Sequence, residues 1–230
     1  TNINEYTVTR HKADLNEIIK KTGAKKVILI GQSWGAILAE FYAADHPEKI
    51  SKIIFTCPGP LYPINRELAF IKSPDSLHLY PPVFSNAQAN KKANNIRTKT
   101  MAFFATRFGV KLATDKEADE FETMLDFELN KSTVKDTAKI AAPAAGGGFY
   151  ASVMTVNSLA TCKDIRPILA KSTIPVLIMK AQYDNQPWGF TYEYCTLFKT
   201  HQLVIIPDAG HSIASEQPQA YLKTILDFIN

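Results

Sequence analysis

A serine stands between two glycines in residues 31–35, Gly-Gln-Ser-Trp-Gly, where one residue pattern gives way to another. The preceding run 25–30 is short, apolar and β-branched, which is typical of a strand buried on both faces. The following run 36–44 is long, apolar and rich in helix formers. We interpret the segment as a tight strand-to-helix turn, which small flanking residues allow and which holds the Ser33 hydroxyl clear of the sheet. Ser33 is therefore a candidate nucleophile.

A serine hydroxyl is a poor nucleophile at neutral pH, so it needs a base, and the base needs an orienting acid. His211 follows the last predicted strand, and Asp184 follows the predicted strand before it. We expect these two side chains and Ser33 to form a catalytic triad for acyl transfer, with the backbone N–H of Trp34 as one oxyanion-hole donor. Asp208 is the rival acid, but it lies three residues before His211 and is interpreted as a turn or cap residue.

The strands that would position these side chains are β-branched apolar runs. The first two flank the apolar helix after the serine, and a strand, helix and strand at this spacing indicate a parallel βαβ unit. The chain is therefore predicted to be an α/β protein with a mostly parallel sheet. The predicted strands are 25–30, 49–56, 174–180 and 202–206, and the predicted flanking helices are 11–21, 36–44 and the segment after Pro218.

The middle of the chain has a different character, because residues 61–172 contain no convincing buried strand. Their helical patterns predict an all-helical insertion over the sheet, which we call the lid. The predicted organisation is core residues 1–60, lid residues 61–172 and core residues 173–230. A run of Ala, Pro and Gly at 142–148 predicts a flexible break within the lid. The predicted lid helices cover 87–108, 115–129 and 149–162.

The composition is that of an ordinary globular protein, with 46% hydrophobic residues, 21% charged residues and a net charge of +4. The basic cluster around Lys91 and Lys92 is interpreted as a solvated helix face, so no nucleic-acid partner is expected. No run has the apolar length of a membrane span. Three scattered cysteines show neither a disulfide framework nor metal-ligand spacing. We expect a reduced, cytoplasmic location and neither a metal nor an organic cofactor.

Five segments of the chain resemble the proline iminopeptidase branch of the α/β-hydrolases. They are the serine turn 31–35, Asp45–Ile50 after the next helix, Pro58-Gly59-Pro60, Tyr183-Asp184 and Gly210-His211-Ser212. The likeness covers both predicted core parts and their order, but the lid only in being helical. It implies an α/β-hydrolase fold and acyl-enzyme catalysis, with removal of N-terminal proline from a short peptide as the implied activity.

The sequence also departs from that family. Ala36 stands where a further glycine is usual, and no segment matches the His-Gly-Gly-type loop that donates the second oxyanion-hole N–H. Only 32 residues precede Ser33, far fewer than in such enzymes. Without the strands those residues hold, a long hydrophobic sheet edge would be exposed. We therefore expect an N-terminal segment of the same protein to precede Thr1.

The substrate is expected to be a short peptide or a small ester. The resemblance implies lid carboxylates that bind a free amine, but none of the acidic residues within 115–129 is assigned to that role. Four aromatic residues are predicted to contact the substrate, two because they follow the acid and two because they lie in the lid. They are Trp188, Phe190, Phe149 and Tyr150.

Three alternatives remain open from sequence alone, one of them an interaction module whose exposed sheet edge recruits a strand of a partner protein. A carboxylesterase for small or medium acyl esters would use the same parts, because fold and triad fix the chemistry and not the substrate. A ligand-binding pseudo-hydrolase receptor would keep the triad and turn over slowly. A dehalogenase or epoxide hydrolase is disfavoured, since such enzymes place a carboxylate where Ser33 stands.

Overall fold

The computed structural model describes residues 2–140 and 147–230, which form a parallel sheet with helices on both faces. The strands are β1 (Val27–Gln32), β2 (Ile50–Thr56), β3 (Val176–Ala181) and β4 (His201–Ile206). The helices are α1 (Val8–Thr22), α2 (Trp34–Asp45), α3 (Asn86–Ala93), α4 (Ile96–Phe108), α5 (Asp115–Leu129), α6 (Phe149–Leu159), α7 (Arg166–Leu169), α8 (Trp188–Leu197), α9 (Ile213–Glu216) and α10 (Pro218–Ile229). No helix in the described ranges combines the length and apolar character needed to cross a bilayer.

The sheet is built from both ends of the chain. Its strands lie in the order β1-β2-β3-β4 and every neighbouring pair is parallel, which confirms the predicted α/β class and parallel sheet. β1, α2 and β2 form the predicted βαβ unit, with Gln32 opposite Thr56. Because all four strands run the same way, their carboxyl ends share one edge, from which the loops carrying Ser33, Asp184 and His211 leave.

The prediction that the first strand is buried on both faces is wrong. β1 is an edge strand in which Ile28 is 38% exposed and Ile30 is 52% exposed. Val27 and Leu29 point to the other face and pack against the core that α2 helps to form. An apolar run predicts that a strand packs against a hydrophobic core. It does not predict whether one face of the strand is covered or both.

The lid helices pack around an apolar cluster that includes Met101 and Phe121 and also Ile3 from the start of the chain. The prediction of one helix over 87–108 is wrong, because α3 ends at Ala93 and α4 begins at Ile96. Asn95 caps the second helix by accepting a hydrogen bond from Thr98 N at 2.9 Å. α5 has the predicted bounds, and the described residues between 61 and 172 contain no strand. The predicted break at 142–148 lies outside the described residues, except for its last two glycines.

A buried carboxyl group lies inside the core between α2 and α8. Glu40 is 0% exposed, and its Oε2 lies 2.6 Å from Tyr194 Oη, which is also 3.0 Å from the Gly59 carbonyl oxygen. One hydroxyl has one proton to donate, so both contacts are satisfied when Glu40 is protonated and donates to Tyr194. Burial raises the pKa of the Glu40 carboxyl well above its ordinary value, although the Tyr194 contact opposes this.

Glu40→Gln is therefore expected to stabilise the protein at pH 7. The folded state retains a proton that the unfolded chain releases above its ordinary pKa, so stability is lost as pH rises, at about 1.4 kcal/mol per pH unit up to the raised pKa. The advantage of the variant should shrink on acidification and vanish near pH 4, as measured by urea unfolding. Glu48→Gln is the control, because that side chain is 65% exposed. An equal response of both variants would contradict a neutral Glu40.

Candidate active site

Ser33 forms the turn between β1 and α2 in a strained conformation, with φ 51° and ψ −112°. Positive φ is rare for a residue with a side chain and is concentrated at functional sites. Gly31 is required here, because a Cβ at that position would lie 2.4 Å from the Gly35 carbonyl oxygen. A Cβ at Gly35 would meet no described atom within 4 Å outside its own helix. The first glycine of the motif is thus the one that the turn needs.

Trp34 opens α2, so its backbone N–H has no acceptor within the helix and is available to an oxyanion next to Ser33. Its indole ring packs edge-on against His11, with ring centroids 5.9 Å apart. His11 Nε2 in turn lies 2.8 Å from Thr155 Oγ1 on α6. The residue after the candidate nucleophile is therefore held between the first core helix and the lid.

Asp184 and His211 meet at the carboxyl edge of the sheet, although 26 residues separate them in the chain. Asp184 Oδ1 lies 2.7 Å from His211 Nδ1, and the two side chains are 1% and 7% exposed. This contact leaves His211 Nε2 as the ring nitrogen that can accept a proton. Asp208 does not compete for the histidine, because its carboxylate is 65% exposed and accepts a hydrogen bond from Lys135 Nζ at 2.6 Å.

A buried lysine on β3, which the sequence analysis missed, completes the surroundings of the acid. Lys180 Nζ is 2.7 Å from Asp184 Oδ2 and donates to the Gln186 carbonyl oxygen at 2.9 Å. Burial alone would raise the pKa of Asp184, but the Lys180 ammonium and His211 together hold that pKa well below its ordinary value. Asp184 is therefore a carboxylate at any pH near neutrality. A charged residue within an apolar strand, four positions before an acid, was the available signal.

Ser33 and His211 line the same cavity, which has a volume of about 370 Å³. The cavity lies between the carboxyl edge of the sheet, α3 and the end of α5. Gln32 Nε2 donates to the His211 carbonyl oxygen at 3.0 Å and thereby joins the end of β1 to the histidine loop. Ser33 and His211 thus lie around one cavity, and Asp184 contacts the histidine from a third loop.

The four aromatic residues predicted to contact the substrate lie elsewhere. Phe149 and Tyr150 are 1% and 2% exposed and belong to the apolar cluster of the lid. Trp188 and Phe190 lie in α8, and Trp188 lines a separate cavity beyond Asp184. None of the four is among the described residues that line the cavity of Ser33. For Trp188 and Phe190, the position after the acid was misleading, because the helix α8 in which they lie was not predicted.

One group of side chains in the described ranges has the composition of a metal site. Potential ligand atoms of Cys57, Asp184 and His211 lie within 4.8 Å of one another. The histidine Nδ1 and the two carboxylate oxygens already pair with each other and with Lys180. Burial raises the pKa of the Cys57 thiol well above its ordinary value, and the Asp184 charge adds to this effect, so the thiolate that a metal requires is disfavoured. These pairings fit a buried Asp184–His211 contact better than a metal centre.

Glu216 fixes the loop that carries His211. Its buried carboxylate accepts hydrogen bonds from the backbone N–H groups of Gly210 at 2.6 Å, Lys135 at 3.0 Å and Asp136 at 3.0 Å. These donors belong to two segments, the histidine loop and the stretch that follows α5. One carboxylate therefore holds the residue before His211 against the lid, a role that no local sequence pattern indicated.

Glu216→Gln is expected to lower the free energy of unfolding by about 3 kcal/mol, because hydrogen bonds to a charged acceptor contribute about 1.5–3 kcal/mol each. The amide would also place a donor against backbone donors, so the segment before His211 should lose its position. Urea unfolding measures the change in stability. Glu128→Gln is the matched control, since its carboxylate pairs with Lys92 and Lys131 near the surface and should cost less than about 1 kcal/mol. Similar losses in both variants would contradict this role of Glu216.

Comparison with known proteins places this fold and arrangement in a family. The model of the alpha/beta hydrolase fold family matches residues 1–218. A hydrolase structure of the alpha/beta fold family from Bacillus anthracis str. Sterne has a TM-score of 0.64 at 19% identity, covering 99% of this chain and 76% of that one. An esterase from Exiguobacterium antarcticum has a TM-score of 0.59 at 18% identity, covering 100% of this chain and 75% of that one.

A relative from Bacillus subtilis (strain 168) is 21% identical over an alignment of 232 positions, which covers 97% of this chain and 73% of the relative. It carries the provisional name 2-succinyl-6-hydroxy-2,4-cyclohexadiene-1-carboxylate synthase. At such identities the structural matches show the fold alone, whereas the family model spans nearly the whole chain. The chain therefore belongs to the α/β-hydrolase fold family.

Proposed function

We propose that this protein is a serine hydrolase that cleaves carboxylic esters through an acyl-enzyme. The observation that carries the proposal is the 2.7 Å contact between His211 Nδ1 and the buried Asp184 carboxylate, beside a cavity that also contains the strained Ser33. A nucleophile, a base and an orienting acid in this relation form the standard machinery for acyl transfer.

In the proposed reaction, Ser33 Oγ attacks the ester carbonyl carbon while His211 Nε2 takes the hydroxyl proton. Asp184 orients the imidazole and stabilises its protonated form, and Trp34 N–H donates to the oxyanion. His211 then gives the proton to the departing alcohol oxygen, which leaves an ester of Ser33. Water, deprotonated by His211, releases the acid and restores the serine.

The choice of an ester over an N-terminal peptide substrate rests on charge. The described residues lining the Ser33 cavity include no carboxylate that could bind a free ammonium group. The half-buried Glu122 of α5 is the strongest competing observation, because burial and the charges of Asp126 and Asp119 raise the pKa of its carboxyl to about 7. It lies outside that cavity, and two of the proteins with this fold are named esterases.

The test is covalent labelling combined with a substrate comparison. A fluorophosphonate should add one probe mass per chain, and peptide mass spectrometry should place it on Ser33. p-Nitrophenyl acetate should be hydrolysed faster than prolyl p-nitroanilide. Faster cleavage of the anilide would favour the aminopeptidase, and labelling with negligible turnover would favour the receptor. Absence of labelling would contradict an activated serine.

A further inference from the structure

The cavity at Ser33 has an unusual chemical character, because its lining is almost entirely polar and uncharged. Six of the described lining residues carry side-chain amides, and four carry hydroxyls, Ser33 among them. The remaining two are His211 and Leu129, the latter being the aliphatic side chain of the set. The amide residues are Gln32, Asn86, Asn90, Asn130, Asn185 and Gln186.

This lining is poorly matched to the commonest ester substrates. Covering amides with a long acyl chain would leave their donors and acceptors unpaired, at about 1–3 kcal/mol for each buried group. A cationic substrate is also poorly matched to this lining, because the described lining residues include no carboxylate to bind its charge. Asp184, the carboxylate adjoining the cavity, is 1% exposed and already bonded to Lys180 and His211.

Several of the amides are held in fixed orientations. Asn86 Nδ2 donates to the Asn185 carbonyl oxygen at 3.0 Å, and Asn185 Nδ2 donates back to Asn86 Oδ1 at 3.0 Å. Asn185 Nδ2 also donates to Ser132 Oγ at 3.2 Å. Asn185 Oδ1 is buried and has no hydrogen-bond partner among the described residues, so it is an acceptor that needs a donor. Amides that are oriented before binding contribute more affinity per hydrogen bond.

We infer that the substrate is a neutral, hydroxyl-rich ester, namely a short-chain O-acyl sugar of about monosaccharide size. Sugar hydroxyls donate and accept at once, as the amides around them do. The volume of about 370 Å³ is near the lower end for ligand cavities and suits one sugar ring with a small acyl group. This inference rests on the proposed function. Hydrolysis would release the free sugar and a short carboxylic acid through acyl-Ser33.

The test compares two esters that differ in hydroxyl groups and little in shape. Methyl 6-O-acetylglucoside and cyclohexylmethyl acetate both attach acetate to a methylene on a six-membered ring, but only the sugar carries hydroxyls. The expected kcat/KM is at least 100-fold higher for the sugar ester. Fully acetylated glucose, which lacks free hydroxyls, should lose most of that advantage.

Variants in and just after α3 test whether the cavity lining causes the preference for the sugar ester. Asn90→Leu should reduce the ratio between the two esters at least tenfold, whereas Asn94→Leu, one turn further along and outside the cavity lining, should leave the ratio unchanged. Circular dichroism melting confirms that both variants fold. Equal or faster hydrolysis of the cyclohexyl ester by the unaltered protein would overturn the inference and leave the hydrolase intact. If the protein hydrolyses none of the esters and is not labelled by the fluorophosphonate, the proposed function itself is overturned.

Discussion

Ser33→Ala is expected to lower kcat for p-nitrophenyl acetate by about 10⁶-fold and to abolish fluorophosphonate labelling. The alanine cannot form the acyl intermediate, and removal of a triad serine typically costs a factor of this size. The oxyanion donor would still bind the substrate, so KM should change far less than kcat. Initial rates at high enzyme concentration, with intact-mass analysis after the probe, measure both effects.

Ser212→Ala is the matched control for that variant. Ser212 lines the same cavity and directly follows His211, but its hydroxyl donates to Thr133 Oγ1 at 3.1 Å. Its loss should change kcat by less than tenfold and leave labelling stoichiometric. If Ser33→Ala were still labelled, or if the two variants lost activity equally, Ser33 would not be the nucleophile.

Asp184→Asn should reduce kcat by about 10⁴-fold, the usual effect of neutralising a triad acid, because an amide no longer stabilises the imidazolium. It should also destabilise the fold by about 3–5 kcal/mol, since it leaves the charge of Lys180 buried without its partner. Activity and urea unfolding are the measurements. Asp208→Asn, which removes the exposed rival acid, should change neither quantity much.

A double variant separates the two effects of Asp184. Asp184→Asn combined with Lys180→Met removes both charges of the buried pair, so stability should recover in large part. Activity should not recover, because His211 still lacks its carboxylate. Recovery of activity with stability would mean that Asp184 is structural rather than catalytic.

Sequence reasoning was most informative for features whose pattern lies within one short segment of the chain. The tight turn at Ser33 requires a strand, a small residue and a helix in succession, so its pattern is visible within about 20 residues. His211 and Asp184 could be found because each follows a β-branched run, and parallel strands end at one edge. The helical character of the described residues between 61 and 172 followed from their missing strand pattern.

The remaining features depend on contacts between distant segments. Glu216 accepts hydrogen bonds from Lys135 and Asp136, about 80 positions earlier. Apart from Gln32, the amides around Ser33 come from α3, the residue after α5 and the loop after β3, none of which carries a motif. Trp188 and Phe190 were chosen because they follow Asp184 in sequence, but neither lines the cavity of Ser33.

The conformation of Ser33 has a consequence for attempts to improve this protein. A residue with a side chain at φ 51° and ψ −112° costs about 1–3 kcal/mol, and glycine would adopt the same angles with little penalty. A library screened for heat resistance alone should therefore enrich Ser33→Gly, which is more stable and inert. Any such selection on this fold should therefore include a second requirement for turnover, or it will discard the proposed nucleophile.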